Sequence, residues 1–227
     1  MAAQGVLFDF SGTLFRLENE QAWLATALHE AGAAVDDSSR ARLLDQLTTP
    51  TGDSVELPAE YAEAWARRDL DPALHQKVYH RLLTDHGATP EIADRVYDQL
   101  ISPDNWFAYP DTGRALRELR AAGVAVGVVS NIAWDIRVAF ARYGLHELVD
   151  CYVLSYEFGA TKPDARIFEH ACAKLGLAPE QTLMVGDSAE ADGGATAIGA
   201  GFAQVDPLPT AERPDALLAL LEAHDLR

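Results

Sequence analysis

Apolar and polar residues follow two patterns along this chain, and one of them predicts a parallel sheet. Short apolar runs are separated by amphipathic stretches of helical length. Such runs are typical of strands that are buried on both faces of a sheet. Strands that alternate with helices in this way imply parallel βαβ units with right-handed crossovers. We predict strands at residues 5–10, 124–129, 150–154, 182–185 and 202–205.

The stretches between these strands carry apolar residues at helical spacing, and glycines close several of them. The expected fold class is therefore α/β, with a Rossmann-like parallel sheet and helices packed on it. We predict the helices of this core at residues 111–122, 133–143, 164–175, 189–198 and 211–223.

The segment between the first two predicted strands has a different pattern, with helical periodicity and no strand signal. Asp71-Pro72 and Thr89-Pro90 are typical helix starts, since each pairs an N-cap residue with a first-turn proline. Ser38 or Ser39 is expected to cap another helix, and residues 48–53 are expected to form a loop. We predict helices from residue 18 to 31, over 57–70, from 72 to 86 and from 90 to 100. The predicted organisation is a discontinuous core, residues 1–15 and 107–227, with an inserted all-helical domain at 16–106.

Polar clusters follow the predicted strands at the edge where open parallel sheets bind their ligands. Asp9 ends the first strand, and the small polar turn Ser11-Gly12-Thr13 comes next. Glycine permits a close backbone approach there, and the Thr13 hydroxyl could support the turn. The later clusters are Ser130-Asn131, Lys162-Pro163, and Gly186-Asp187-Ser188 with Asp192.

These residue types suit phosphoryl chemistry, although several could also cap the helices that follow. A carboxylate such as Asp9 can attack phosphorus or an activated carbon and form a covalent intermediate. Ser130 and Asn131 can donate hydrogen bonds to phosphoryl oxygens, and Lys162 is a compact positive charge in a chain with only three lysines. The carboxylates of the last cluster are the kind of ligand that Mg²⁺ prefers.

The composition narrows the classes of partner. The formal net charge of −17 argues against nucleic acid and anionic membranes, which require a basic surface. It does not argue against a phosphorylated substrate, because a divalent cation and one lysine can reverse the field inside a cleft. We expect a soluble, cytoplasmic protein, since no apolar run approaches a membrane span and the N-terminus has no signal-peptide pattern. Cys151 and Cys172 have no metal-ligand spacing and are expected to be core thiols.

In their order and spacing, the four clusters resemble those of the haloacid dehalogenase-like (HAD) hydrolase superfamily. The likeness covers nearly the whole chain and is weakest between Arg16 and Asn105. It implies subfamily I, in which a helical C1-type cap is inserted after the first cluster and closes over the site. It also implies that Asp9 is the nucleophile and that Ser130 and Lys162 hold the transferred phosphoryl group.

The resemblance further implies a Mg²⁺ cofactor. Its ligands would be Asp9, the backbone carbonyl of Ser11, and Asp187, while Asp192 would orient Lys162 or a metal-bound water. The candidate catalytic residues are Asp9, Ser11, Thr13, Ser130 and Lys162. The candidate substrate-binding residues are Gly12, Arg16, Ser130, Asn131 and Lys162. The candidate metal-binding residues are Asp9, Ser11, Asp187 and Asp192.

Ser11 departs from the phosphatases of that family, which usually carry an aspartate at this position as general acid and base. Such a group contributes about 10²–10⁴-fold in rate, and a serine cannot transfer the proton at neutral pH. Either the leaving group needs no proton, or the helical insert supplies the acid, or turnover is slow or absent. The candidates for an acid in the insert are His29, His75, His80, His86, Glu18 and Glu56.

These observations predict a Mg²⁺-dependent phosphatase of a small phosphorylated metabolite, working through an aspartyl-phosphate intermediate on Asp9. Two alternatives stay open. One is a 2-haloacid dehalogenase-type hydrolase, in which Arg16 would face a substrate carboxylate. The other is a catalytically weak binding protein with the same fold. A Schiff-base mechanism like that of phosphonoacetaldehyde hydrolases is disfavoured, because the one lysine of the insert, Lys77, comes too late in it. A monomer or a homodimer is expected.

Overall fold

A computed structural model describes residues 3–48 and 57–226 of the 227-residue chain. The chain forms two compact units, one of Met1–Arg16 with Trp106–Arg227 and one of Leu17–Asn105. The boundaries predicted from the sequence lie one residue from these at each junction. Most of the loop predicted at 48–53, and the candidate acid Glu56, fall outside the described residues.

The first unit contains a five-stranded parallel sheet, which confirms the predicted fold class. In order across the sheet, the strands are β5 (Cys151–Leu154), β4 (Ala125–Ser130), β1 (Gly5–Phe8), β6 (Thr182–Gly186) and β7 (Gly201–Gln204). The strand β1 therefore lies in the centre, with a neighbour on each side. Leu7 of β1 lies opposite Gly127 on one neighbour and Met184 on the other.

Helices flank this sheet and complete its core. Leu7, Val129 and Met184 of the sheet form one buried cluster with Phe168 and Cys172 of a helix. Both cysteines are free and buried, as expected. The helices of this unit are α6 (Thr112–Ala121), α7 (Arg137–Arg142), α8 (Ser155–Phe158), α9 (Ala165–Leu175) and α10 (Ala216–Ala223), with a 3₁₀ segment at Asp192–Ile198.

The core helices predicted at 133–143, 189–198 and 211–223 were too long. The first begins only at Arg137, because the hydroxyl of Ser155 accepts from the N–H of Ile132 and donates to its carbonyl. Residues 192–198 form a 3₁₀ helix after a turn in which the carboxylate of Asp192 accepts from the N–H of Ser188. The last helix begins at Ala216.

The second unit is helical and has its own core. Trp23, Leu24 and Leu28 of its first helix pack with Leu83 and Ile92 of later helices. Asp71 and Thr89 cap the two helices that the sequence predicted them to cap. The helices are α1 (Glu20–Glu30), α2 (Asp37–Thr48), α3 (Ala62–Ala66), α4 (Pro72–Asp85) and α5 (Pro90–Ile101). Within the described ranges no helix is long and apolar enough to span a bilayer.

Two details of this region differ from the prediction. The N-cap of α2 is Asp36, whose carboxylate accepts from the N–H of Ser39, and is neither Ser38 nor Ser39. The helix predicted at 57–70 is broken into α3 and two 3₁₀ turns, and after α3 the guanidinium of Arg68 donates to the carbonyl of Trp65 and covers its ring.

Two short strands at the junctions between the units were not predicted, because the sequence has no strand signal there. They are β2 (Phe15–Leu17) and β3 (Trp106–Ala108), which form a two-stranded sheet.

One histidine of the helical unit, His75, belongs to its core. His75 is buried, its Nδ1 lies 3.0 Å from the Tyr97 hydroxyl, and its ring stacks on Tyr79. Burial, with a smaller effect of the Arg68 charge, lowers the pKa of His75 to about 3. His75 is therefore a neutral core residue at physiological pH and does not titrate there.

Candidate active site

The site begins where β1 ends. The N–H of Asp9 donates to the carbonyl of Val185 at 2.9 Å, so the pairing of β1 with β6 continues to the candidate nucleophile. The next residue, Phe10, is fully buried against the rings of Phe15 and Trp106, with centroids 5.1 and 4.9 Å away. Strand pairing on one side and aromatic packing on the other therefore hold the Asp9 backbone.

The turn after Phe10 requires glycine at position 12. Gly12 has a φ of +74°, a left-handed conformation that other residues rarely adopt. A Cβ at this position would also lie 2.4 Å from Oδ2 of Asp187. The turn is therefore in close contact with a carboxylate of the fourth cluster, and a side chain here would push the two apart.

Lys162 joins the first, third and fourth clusters. Its Nζ donates to Oδ1 of Asp9 at 2.6 Å and to Oδ1 of Asp192 at 2.5 Å, and all three side chains are buried. Asn131 holds the lysine backbone, since its Oδ1 accepts from the Lys162 N–H and its Nδ2 donates to the Lys162 carbonyl. Asn131, predicted to bind substrate, thus makes two bonds that position Lys162.

Gly186 is a site residue to which the sequence analysis gave no role. It ends β6, and a Cβ there would lie 2.1 Å from Oδ2 of Asp192. The missing side chain makes room for the Asp192 carboxylate, whose Oδ2 also accepts from the N–H of Ser188. The only sequence signal was its place in the Gly-Asp-Ser cluster.

Burial and the repulsion of neighbouring carboxylates raise the pKa values of Asp9 and Asp187. Burial raises the pKa of Asp9 to about 7, against the opposing effect of the Lys162 ammonium. Burial, together with the charge of Asp192, raises the pKa of Asp187 to about 6. Burial alone would lower the pKa of Lys162, but Asp9 and Asp192 outweigh it and raise that pKa above its usual range. Three carboxylates and one lysine ammonium meet here, so negative charge exceeds positive charge at this site.

The donor atoms fit a divalent cation. Asp9, Asp187 and Asp192 each offer an oxygen within 4.8 Å of the other two, and the Lys162 ammonium contacts two of these carboxylates. Hard oxygen ligands with excess negative charge are the environment that Mg²⁺ prefers. Both oxygens of Asp192 already accept hydrogen bonds, so Asp9 and Asp187 are the more available ligands.

The remaining predicted residues have different surroundings. Ser11 is exposed at the turn, whereas Thr13 and Ser130 are buried. The Thr13 hydroxyl has no hydrogen-bond partner among the residues that the structure describes. The Arg16 guanidinium donates to the carbonyl of Pro207, so it binds the chain itself here.

Arg213 was missed altogether, because the sequence pattern placed it in a surface helix. It is buried, and its Nη1 donates to the Gly12 carbonyl at 2.6 Å while its Nη2 donates to the Thr13 carbonyl. The guanidinium carbon lies 3.2 Å from the centre of the Tyr109 ring. Only the Pro214 that follows it hinted that the chain is not helical at this point.

One known protein family matches most of this chain. The family model described as haloacid dehalogenase-like hydrolase matches residues 3–199. The chain belongs to that family. It is accordingly a hydrolase, and the match includes all four of the polar clusters.

Individual relatives of this HAD family member carry out two chemistries. A ribulose-1,5-bisphosphate 5-phosphatase of Halopiger xanaduensis is 30% identical over 222 residues, which cover 90% of this chain and 85% of that protein. An (S)-2-haloacid dehalogenase of Burkholderia cepacia is 29% identical over 197 residues, covering 85% and 78%. The crystal structure of a HAD phosphatase from Thermococcus onnurineus is similar with a TM-score of 0.60 and 25% identity, over 89% of this chain and 86% of that one. The choice between the two chemistries therefore depends on the site.

Proposed function

We propose that this hydrolase is a Mg²⁺-dependent phosphatase that acts on a small phosphorylated metabolite. The observation that carries the proposal is the buried group in which Lys162 contacts Asp9 and Asp192 beside Asp187. Three clustered carboxylates, two of them in contact with one ammonium, leave a negative site, which a phosphate dianion can approach only with further positive charge. A divalent cation supplies that charge, and the donor set fits one.

In the proposed reaction, a carboxylate oxygen of Asp9 attacks phosphorus. The bond from phosphorus to the leaving-group oxygen breaks, and its electron pair departs with that oxygen. Water then attacks phosphorus of the aspartyl phosphate, which releases inorganic phosphate and restores the carboxylate. Lys162, 2.6 Å from the attacking carboxylate, offsets the repulsion between two anions. The hydroxyl of Ser130, at the end of β4, would donate a hydrogen bond to a phosphoryl oxygen.

Asp9, Asp187 and the backbone carbonyl of Ser11 would hold the cation, and Asp192 would orient Lys162. When bound, the ion supplies positive charge that stabilises the ionised Asp9 and the phosphate oxygens. The carbonyl of Ser11 can serve as a ligand whatever the side chain at that position. The loss of an acidic side chain at position 11 is therefore compatible with metal binding.

Ser11 sets the expected order of substrates. Without a general acid two residues after Asp9, the leaving group departs unprotonated, so its own pKa governs the rate. We expect acyl phosphates and aryl phosphates to react faster than alkyl phosphates. Ser11→Asp should raise the rate with alkyl phosphates most, and no gain with any leaving group would mean that the proton comes from elsewhere.

A second candidate, a 2-haloacid dehalogenase, is favoured by the same serine, because a halide departs without a proton. Asp9 would attack the carbon that carries the halogen, the carbon–halogen bond would break, and halide would leave with the electron pair. Water would then hydrolyse the resulting ester at the Asp9 carbonyl carbon. A dehalogenase among the relatives also supports this candidate.

One experiment separates the candidates. Phosphate esters, acyl phosphates and 2-haloacids are incubated in H₂¹⁸O with Mg²⁺ or EDTA, and the peptide that contains Asp9 is then weighed by mass spectrometry. Phosphate release that EDTA abolishes, with no ¹⁸O in Asp9, supports the phosphatase, since water attacks phosphorus. Halide release with ¹⁸O in Asp9 supports the dehalogenase, since water attacks the ester carbon.

Two variants complete the test. Asp9→Asn should abolish turnover, whereas Asp164→Asn should leave it intact, because Asp164 is a partly exposed helix cap whose side chain contacts Arg166. A fully active Asp9→Asn protein would contradict both candidates. If the wild type hydrolyses none of these substrates but still binds Mg²⁺, the result would instead favour a binding protein.

A further inference from the structure

Arg213 is buried beneath the turn that follows the candidate nucleophile. Its guanidinium donates to the carbonyls of Gly12 and Thr13 through two different nitrogens, and Nη1 also donates to the carbonyl of Asp206 at 3.2 Å. Its side chain is 3% exposed and lies flat against the ring of Tyr109. Within the described residues, all its hydrogen bonds go to backbone carbonyls. A buried guanidinium that donates to two successive carbonyls fixes the orientation of those peptide groups.

The next carbonyl of the turn is also held. Leu14 O accepts from the Thr112 hydroxyl at 2.8 Å and from the N–H of Tyr109 at 3.1 Å. Three consecutive carbonyls therefore each accept a hydrogen bond from residues that lie far away in the sequence. Because C=O and N–H point in opposite directions in a trans peptide, the N–H groups of the same peptide units are also fixed in direction.

The held turn is the part of the chain that touches Asp187. A Cβ on Gly12 would lie 2.4 Å from the Asp187 carboxylate, so the Gly12 backbone and this carboxylate are packed against each other. Moving the Gly12 peptide would therefore move the contact between the Asp9 turn and the fourth cluster. A lysine at position 213 could not reproduce the arrangement, since an ammonium lacks the planar fork that reaches two carbonyls at once.

We propose that Arg213 is a positioning residue for hydrolysis: it holds the Gly12–Thr13 turn against Asp187 and so sets the geometry between the nucleophile and the fourth cluster. The inference rests on the proposed use of Asp9 and Asp187 in one reaction. It adds a residue that touches none of the reacting atoms and acts through the backbone of the turn.

The test compares Arg213→Ala with the wild type in kcat, KM and hydrogen exchange. We expect kcat to fall about 100-fold, the size of effect that a displacement of about 1 Å can have, with KM changed little. Backbone amides of residues 9–15 should exchange faster, and those of β6 should not. Methylguanidinium at millimolar concentration should restore a part of kcat and the slow exchange by occupying the space over Tyr109, whereas methylammonium at the same concentration should restore neither.

Thr182→Val is the matched control for a general loss of stability. Thr182 is buried at the other end of β6, where its hydroxyl donates to the carbonyl of Ala178. This variant should lose some thermal stability while it keeps kcat and the slow exchange of residues 9–15. If Arg213→Ala does not fold, Arg213→Lys takes its place, with a lowered kcat expected in a folded protein.

The outcomes separate this inference from the proposed function. A wild type that hydrolyses no phosphate ester contradicts the phosphatase, and the exchange of residues 9–15 still decides the role of Arg213. Unchanged exchange, or an Arg213→Ala protein with wild-type kcat, overturns the inference. So does a loss of activity that only follows the folded fraction and that methylguanidinium does not reverse.

Discussion

Replacing Gly186 by alanine tests how the site holds Lys162. Gly186 is not in the left-handed region, so the substitution adds no backbone strain and changes only the space beside Asp192. The ideal Cβ lies 2.1 Å from Oδ2 and 2.2 Å from Cγ of that carboxylate. The backbone cannot yield, because Gly186 pairs with Gln204 in the sheet and its carbonyl accepts from Val205.

The displacement can be worked out from these distances. Ordinary contact begins at 3.4 Å, so the Asp192 carboxylate must move by about 1.3 Å. Its Oδ1 is 2.5 Å from Nζ of Lys162, so a shift of that size breaks or bends the ion pair. We expect the overpacking to cost about 1–3 kcal/mol in the free energy of unfolding. The misplaced lysine should lower kcat by about 100-fold.

The assay uses Gly193→Ala as the matched control. Gly193 is also outside the left-handed region, and a Cβ there would meet only Phe202, at an ordinary 3.7 Å. The two variants are compared by urea unfolding and by kcat with an aryl phosphate. The chain has three lysines, so ¹⁵N-lysine labelling gives a side-chain NMR spectrum simple enough to assign Lys162.

The expected spectrum shows a shifted or fast-exchanging Lys162 ammonium in Gly186→Ala and an unchanged one in Gly193→Ala. If Gly186→Ala keeps the wild-type Lys162 signal and a kcat equal to that of the control, the reasoning is wrong. Either the Asp192 carboxylate would then have more room than these distances indicate, or its contact with Lys162 would not be needed for turnover.

Three further predictions concern charge and metal. Lys162→Met should lower the free energy of unfolding at pH 8 by about 3–5 kcal/mol in urea titrations, because two buried carboxylates lose their counter-ion. His75 has a folded-state pKa of about 3, below the usual 6.5, so its protonation favours the unfolded chain and stability falls as pH drops between these values. His75→Gln should remove up to about 1.4 kcal/mol per pH unit from that slope, which urea unfolding at a series of pH values measures. Mg²⁺ should raise the melting temperature in calorimetry by binding the folded state, and Asp187→Asn should weaken this effect.

The parallel sheet and the meeting of the polar clusters could be predicted from the sequence for one physical reason. Buried parallel strands are continuous apolar runs, and their carboxyl ends share one edge. Asp9, Lys162 and Asp187 each follow such a run or the turn after it. The structure brings their side chains to that edge, whereas their catalytic roles stay predictions.

The starts of the core helices predicted at 133 and 189 were wrong, because side chains compete for the backbone there. Periodicity extends the helix after Ser130 back to residue 133, but the Ser155 hydroxyl takes both polar groups of Ile132. The carboxylate of Asp192 likewise takes the N–H of Ser188 at the end of β6. Local propensity describes neither contact, since each depends on where the sheet places a partner.

The buried position of Arg213 could not be predicted either, because it depends on residues that are distant in the sequence. Its charge and its place near an apolar segment are typical of a surface helix, so nothing local marks it as buried. Its partners, the carbonyls of Gly12 and Thr13, lie about 200 residues away in the sequence. Those carbonyls lie in an irregular turn in which Gly12 is left-handed, so neither is paired within a helix or a strand, and each needs another donor. The irregular backbone that brings the Asp9 turn against Asp187 therefore itself creates the need for a buried donor, and a residue from the end of the chain supplies it.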